Sequence, residues 1–427
     1  MRLTREKLGW AMYDWGNSAY ATIVMAGFFP VFFKEYWNAG VAVTDSTFRL
    51  GLANSVASLV IVIMAPVLGA VADSLDQRRA MLAAFAFLGL LMTGGLYLVA
   101  QGAWALAAIL YVLSMIGFSG SNIFYDALLP MVAGERELDQ TSALGYSLGY
   151  LGGGLLLAVN VYLTLHPERF GFADASVVVR LSFLMVAVWW LVFTIPLLVT
   201  VREVHDDLPG RLTGNIIEEG FVRIWHTLHE VRALREVWLF LLAYWLYIDG
   251  VGTVIRMAVD YGLSVGIGRN DLILALLITQ FVGFPAALLF GWAGGRYGTK
   301  NGILAGLAVY VLVTIAASRM SSAREFYGLA VAIGLSQGGV QALSRSLFAR
   351  MIPAGRSAEF FGFYNMLGKF AAIIGPALMG WVGLVTGNPR VGILSLLLLF
   401  GVGAVLLLIV PVAPVQVAGG DYRSGVE

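Results

Sequence analysis

The stretch Tyr13-Asp14-Trp15-Gly16-Asn17-Ser18-Ala19-Tyr20 lies inside a long apolar run from Trp10 to Phe33. About 20 mainly apolar residues suffice to cross a bilayer, and this run is long enough. Yet it carries a carboxylate and an amide where a plain anchor holds only hydrocarbon. An ionisable side chain within a span costs roughly 2.5–3.5 kcal/mol on insertion scales, so such residues face a cavity or a partner. The stretch predicts a protein that acts inside the membrane.

Composition agrees. Of 427 residues, 59% are hydrophobic and only 12% charged, against about a quarter charged in a soluble domain. The net charge of +1 offers no basic surface for nucleic acid. The absence of cysteine excludes disulfides, thiolate metal sites and cysteine nucleophiles. His166, His205, His226 and His229 all fall outside the apolar runs, which argues against a histidine proton relay. Arg2, Arg5 and Lys7 precede the first run as in a signal peptide. That run is too long, contains Asp14 and lacks a small-x-small cleavage site, so it reads as a retained helix. No Walker loop, H-E-x-x-H or G-x-S-x-G stands in a credible context, and neither an enzyme, a cofactor nor a metal is expected.

Twelve spans are predicted: 10–36, 48–73, 80–100, 104–128, 140–165, 177–200, 237–262, 271–295, 301–319, 325–350, 358–386 and 390–411. An even number puts both termini on one side. Lysines and arginines favour that side roughly two to one, which marks it as cytoplasmic. The longest polar stretch separates spans six and seven. It divides the chain into an N-terminal bundle (1–201), a cytoplasmic linker (202–236) and a C-terminal bundle with a short tail (237–427). The halves look repeated: Gly69 and Gly291, each near the end of a span, are 222 residues apart, and Pro130 and Pro353 are 223 apart. The expected fold is all-α, two pseudosymmetric six-helix bundles in parallel repeat.

Several polar residues stand inside the spans. At 100° per residue Asp14, Ser18, Ala21 and Met25 share a face, with Asn17 beside them. Such a face binds a cation, an amine or a proton; alternatively, Asp14 lies near the cytoplasmic surface and only caps or pairs there. Asp249, Arg256 and Asp260 share a face of span seven, where Asp249 is the expected repeat-mate of Asp14 and the stronger choice for the centre. Arg256 and Asp260 have ion-pair spacing. Gln337, Gln341 and Arg345 form an i, i+4, i+8 stripe in span ten, and Asn365 and Lys369 an i, i+4 pair in span eleven. Arginine and lysine are natural anchors for a carboxylate, although Arg345 is close enough to the cytoplasmic end to snorkel. Asn122 and Asp126 pair in span four, where Asp126 suits a gate. Glycines 145, 149 and 153 have the small-xxx-small spacing of close helix packing.

Gly69, Asp73, Arg78 and Arg79 resemble the major facilitator signature G-x-x-x-D-(R/K)-x-G-(R/K)-(R/K), with departures at Ser74 and Asp76. They are read with Asp126 as a cytoplasmic gate. The second copy has Gly295 in place of the aspartate and is not expected to make the same lock. Residues 13–20, Phe124 to Pro130, Asp249-Gly250, Gln341 to Phe348 and Phe360 to Lys369 together resemble the vacuole-effluxer family. This is the branch of the major facilitator superfamily that contains the yeast autophagy-related vacuolar amino acid effluxer and many bacterial proteins. The resemblance implies a twelve-helix transporter working by alternating access and, for fungal members, export of neutral amino acids.

The expectation is a secondary transporter of a small polar solute, such as an amino acid, coupled to protons. It is expected as a monomer in the bacterial cytoplasmic membrane, with the lipid bilayer and the solute as its partners. Asp14, Asn17, Asp249, Arg256, Gln337, Gln341, Arg345, Asn365 and Lys369 are the expected binding residues. The alternatives are an exporter of hydrophobic drugs or lipids, suggested by the 12% aromatic content, and a non-transporting receptor or scaffold.

Overall fold

The structure, a computed structural model, describes residues 2–203, 234–353, 355–370 and 374–411. Most of the expected linker, residues 204–233, lies outside the described residues, as do the side chains of Asp260 and Lys369. Eleven helices among the described residues are long and apolar enough to cross a membrane. The N-terminal bundle contains α1 (Arg5–Ala19), which continues to Trp37, then α2 (Val43–Leu75), α3 (Arg78–Gly95), α4 (Trp104–Ala127), α5 (Leu138–Leu165) and α6 (Ala175–Thr200). The C-terminal bundle contains α7 (Arg235–Ser264), α8 (Arg269–Tyr297), α9 (Thr299–Arg319), α10 (Ala323–Met351), α11 (Ser357–Phe370), α12 (Ile374–Thr386) and α13 (Leu396–Ile409).

Within the eleventh expected span, 358–386, α11 and α12 are described and residues 371–373 lie outside the described residues. The first span differs from a uniform helix. Beyond Ala19 it winds wide, and the N–H of Phe29 donates to the carbonyl of Val24, five residues back. Pro30 follows directly in the sequence, and wide turns of this kind are often found at functional sites.

Leu59, Leu98, Val199, Leu312 and Leu384 are exposed around the outside of the bundles, as a lipid-facing surface requires. Inside, helices satisfy their own backbone, and polar side chains join neighbours. The hydroxyls of Tyr20 and Ser114 link α1's continuation to α4 at 2.7 Å, and those of Tyr247 and Ser344 link α7 to α10 at 2.6 Å. The repeat is thus visible in its internal fastenings.

The two bundles meet along α2–α11 and along α5–α8. Both contacts need a glycine. A Cβ on Gly69 would stand 2.2 Å from the carbonyl oxygen of Ala358, and one on Gly291 would stand 2.3 Å from the Cβ of Ala143. Small residues let helix backbones approach this closely in a membrane.

Candidate functional site

A cavity of about 270 Å³ lies between the bundles. Helical periodicity brings its polar lining together. From α1 come Asp14, Asn17 and Ser18, followed by Ala21 and Thr22; from α4, Asn122 and Asp126; from α5, Tyr146 and Tyr150. The other half contributes Gln280, Gln337, Gln341, Arg345 and Asn365. Met25, expected on the same face as Asp14, is not among these residues, whereas Thr22 is. The wide winding after Ala19 spends more residues per turn, so the 100° rule loses register there.

Arg345 forms the floor. Only 2% exposed, it reaches Asp126 at 3.1 Å and Asp14 at 3.5 Å. Its Nε donates to the hydroxyl of Ser142 and its Nη2 to the Ser142 carbonyl, both at 2.9 Å. The rings of Tyr146, Trp10 and Tyr125 stand 4.4, 4.8 and 5.3 Å from the guanidinium carbon. The carboxylates are fastened in turn. Asp14 accepts from the Tyr125 hydroxyl at 2.8 Å, and Asp126 accepts from the amide of Asn365 at 2.9 Å. The Asn17 amide donates to Asn122 at 2.7 Å. Two carboxylates share one guanidinium, so the described charged side chains of this cavity sum to −1 when all are ionised.

Between the cavity and the face that carries the N-terminus, here the N-terminal face, the halves are fastened twice. Asp73 pairs with Arg78 at 2.7 Å and accepts from the backbone N–H groups of Ala358, at 3.1 Å, and Glu359, at 2.7 Å. Arg78 also donates to the Gly355 carbonyl at 3.3 Å. On the other side of the interface Asp139 accepts from Thr299 at 2.9 Å, from Arg350 at 2.7 Å and from Ser346. Farther from this face the Ser147 hydroxyl donates to the Phe284 carbonyl at 2.8 Å. Ser18, Thr22, Gln280 and Gln337 are half-buried in the cavity wall.

The expected site residues separate as follows. Asp14, Asn17, Gln337, Gln341, Arg345 and Asn365 line one cavity, and Asp126, expected at a gate, lines it with them. Asp73 and Arg78 meet at the interface, whereas Arg79 turns to its own half, donating to the Leu198 carbonyl and to Glu203. Asp249, expected at the centre, is not among the cavity residues. Its carboxylate accepts the Gly375 N–H at 2.8 Å and the Thr253 hydroxyl at 3.5 Å, so it is engaged within its own half. Arg256, on the same helix, is exposed and lies outside the cavity lining. Lys369's side chain lies outside the described residues.

Sequence reasoning did not single out Tyr125, Ser142, Tyr146, Gln280 or Asp139. Tyr146 and Tyr150 stand at i, i+4 on α5, a spacing that marks a shared face. Asp139 looks like an ordinary acid at a span end, and its partners lie 160 to 211 residues away.

A family model described as "Vacuole effluxer Atg22 like" matches residues 39–141 and 135–417. The MFS-type transporter YxiO of Bacillus subtilis is 37% identical over 413 residues, covering 96% of each chain. Autophagy-related protein 22 of Eremothecium gossypii is 24% identical, covering 90% of this chain and 87% of its own. Among solved structures, the proton:xylose symporter XylE aligns with a TM-score of 0.68 at 15% identity, covering 95% of this chain and 94% of its own. The transporter FucP aligns with a TM-score of 0.65 at 12% identity, covering 95% and 98%. These relatives and neighbours are transporters and not enzymes, and the fold is theirs. The chain belongs to the vacuole-effluxer family, an integral-membrane branch of the major facilitator transporters.

Proposed function

We propose that this protein is a secondary active transporter that carries a small polar solute, with amino acids the first class to test, by rocking its two halves about the central cavity. The observation that carries this reading is the floor of that cavity: one buried arginine of the C-terminal half held by two aspartates of the N-terminal half. A scaffold has no use for such a costly arrangement. The uncompensated negative charge is matched by a proton or by a solute amine, which supports proton coupling. Arg345 spends its donors on Asp14, Asp126 and Ser142, so the carboxamides of Gln280, Gln337 and Gln341 are the groups left to hold the rest of the solute. With the N-terminal face cytoplasmic, as the lysine and arginine bias supports, the closed face is the inner one and the cavity faces outward. The protein would act as a monomer in a bacterial inner membrane.

One observation favours a second reading. An apolar cavity of about 70 Å³ within the C-terminal half shares Gln337 with the central one. It would suit the apolar part of a more hydrophobic solute, as in a drug or lipid exporter.

The test is flux in proteoliposomes under an imposed pH gradient, using radiolabelled neutral, acidic and basic amino acids, with a hydrophobic dye as the comparison. Saturable amino acid flux that follows the gradient, and that Asp14→Asn uncouples from it, is expected. Saturable dye flux without amino acid flux would favour the second reading. Absence of saturable flux for every probe would contradict both.

A further inference from the structure

We propose that Asp139 is a state-setting residue: it supplies, from the opposite half, the acid that the second copy of the loop signature has lost, and it holds the N-terminal face closed. The proposal rests on the alternating-access reading above.

At the first fastening, Gly69 lies against α11 and Asp73, one turn later, receives the N–H groups of Ala358 and Glu359 at the start of that helix. At the second, Gly291 lies against Ala143 of α5, and the residue one turn later is Gly295. A Cβ at Gly295 would meet only the amide nitrogen of Gln140, at 3.7 Å. The α8 side therefore has space but no acid. Ala358 and Glu359 are the second and third residues of α11; Asp139 and Gln140 are the second and third of α5. The acid thus sits on the helix start that an aspartate at 295 would have faced. Asp139 is 1% exposed, and Thr299, Ser346 and Arg350, all from the other half, donate to it.

The two fastenings differ in what opening breaks. The Asp73–Arg78 ion pair stays within one half, and among the described residues hydrogen bonds cross from it. The Asp139–Arg350 ion pair itself crosses. Opening this face therefore separates opposite charges at Asp139, whereas at Asp73 it breaks charge-assisted hydrogen bonds and leaves the ion pair whole. Asp139 is thus the acid whose ion pair depends on the closed state.

The chain has no cysteine, so two spin labels can be placed without background. Arg136→Cys and Arg235→Cys, both exposed, flank the N-terminal face. Distance distributions are read in lipid nanodiscs with no solute present. The parent pair should give a short distance. Asp139→Asn should raise the ratio of long to short distances at least tenfold, and adding Gly295→Asp should recover the short population. Arg350→Gln attacks the same pair from the other half, where the side chain is 20% exposed, and decides the matter if Asp139→Asn does not fold. Unchanged distributions in folded Asp139→Asn, or in Arg350→Gln, would overturn the proposal. Flux without a label shift counts against Asp139 alone; a label shift without flux counts against the transport reading alone.

Discussion

Arg345 shows how far a single residue can be read. Its stripe with Gln337 and Gln341 follows from spacing alone, because residues four apart share a helical face. Its partners do not, since Asp14, Asp126 and Ser142 come from another bundle and no periodicity says which face meets which. Asp249 makes the same point in reverse. It stands in a span beside Gly250, much as Asp14 stands beside polar neighbours, yet its carboxylate is taken by the N–H of Gly375. A backbone N–H 126 residues away leaves no trace near Asp249 in the sequence. Two predictions belong at this scale. Arg345→Gln leaves two carboxylates buried without their cation and should cost about 3–5 kcal/mol of stability. The triple change Arg345→Gln, Asp14→Asn and Asp126→Asn should recover part of it, read as the midpoint of thermal unfolding in nanodiscs. Equal loss in both would contradict the shared floor. Tyr125→Phe keeps the ring that stacks on Trp10 at 4.4 Å and removes the donor to Asp14. It should cost about 1–3 kcal/mol, and an unchanged midpoint would show that Asp14 does not depend on that hydroxyl.

At the scale of the element, apolar length and punctuation make most spans legible. One departure has a local cause. The first span winds wide between Ala19 and Phe29, so the face predicted at 100° per residue holds at Asp14 and Ser18 but yields Thr22 in place of Met25. The helix pairs that join the halves depend on Gly69 and Gly291. Gly69→Val would drive a side chain into the Ala358 carbonyl and should favour the open N-terminal face. The spin-labelled pair at 136 and 235 should then report the longer distance. Gly51→Ala, on the same helix but with open space around its Cβ, should leave the distance as it is. Equal behaviour of the two variants would mean that the close α2–α11 approach does not hold the face shut.

For the whole molecule, the repeat is the feature most easily read, because Gly69 and Gly291 stand at corresponding span ends. What the repeat conceals is asymmetry. One half supplies both aspartates of the cavity floor and the other the arginine, while the acid of the second fastening has changed sides. In the proposed carrier the cavity is exposed to one face at a time. That exposure is tested most directly by Ser18→Cys, a near-isosteric thiol in the cavity wall of a chain without other cysteines. In sealed, oriented vesicles a membrane-impermeant maleimide should label it from the face opposite the N-terminus. In Asp139→Asn, labelling should shift to the N-terminal face. Labelling from both faces at equal rates in the parent protein, or from neither, would contradict the account.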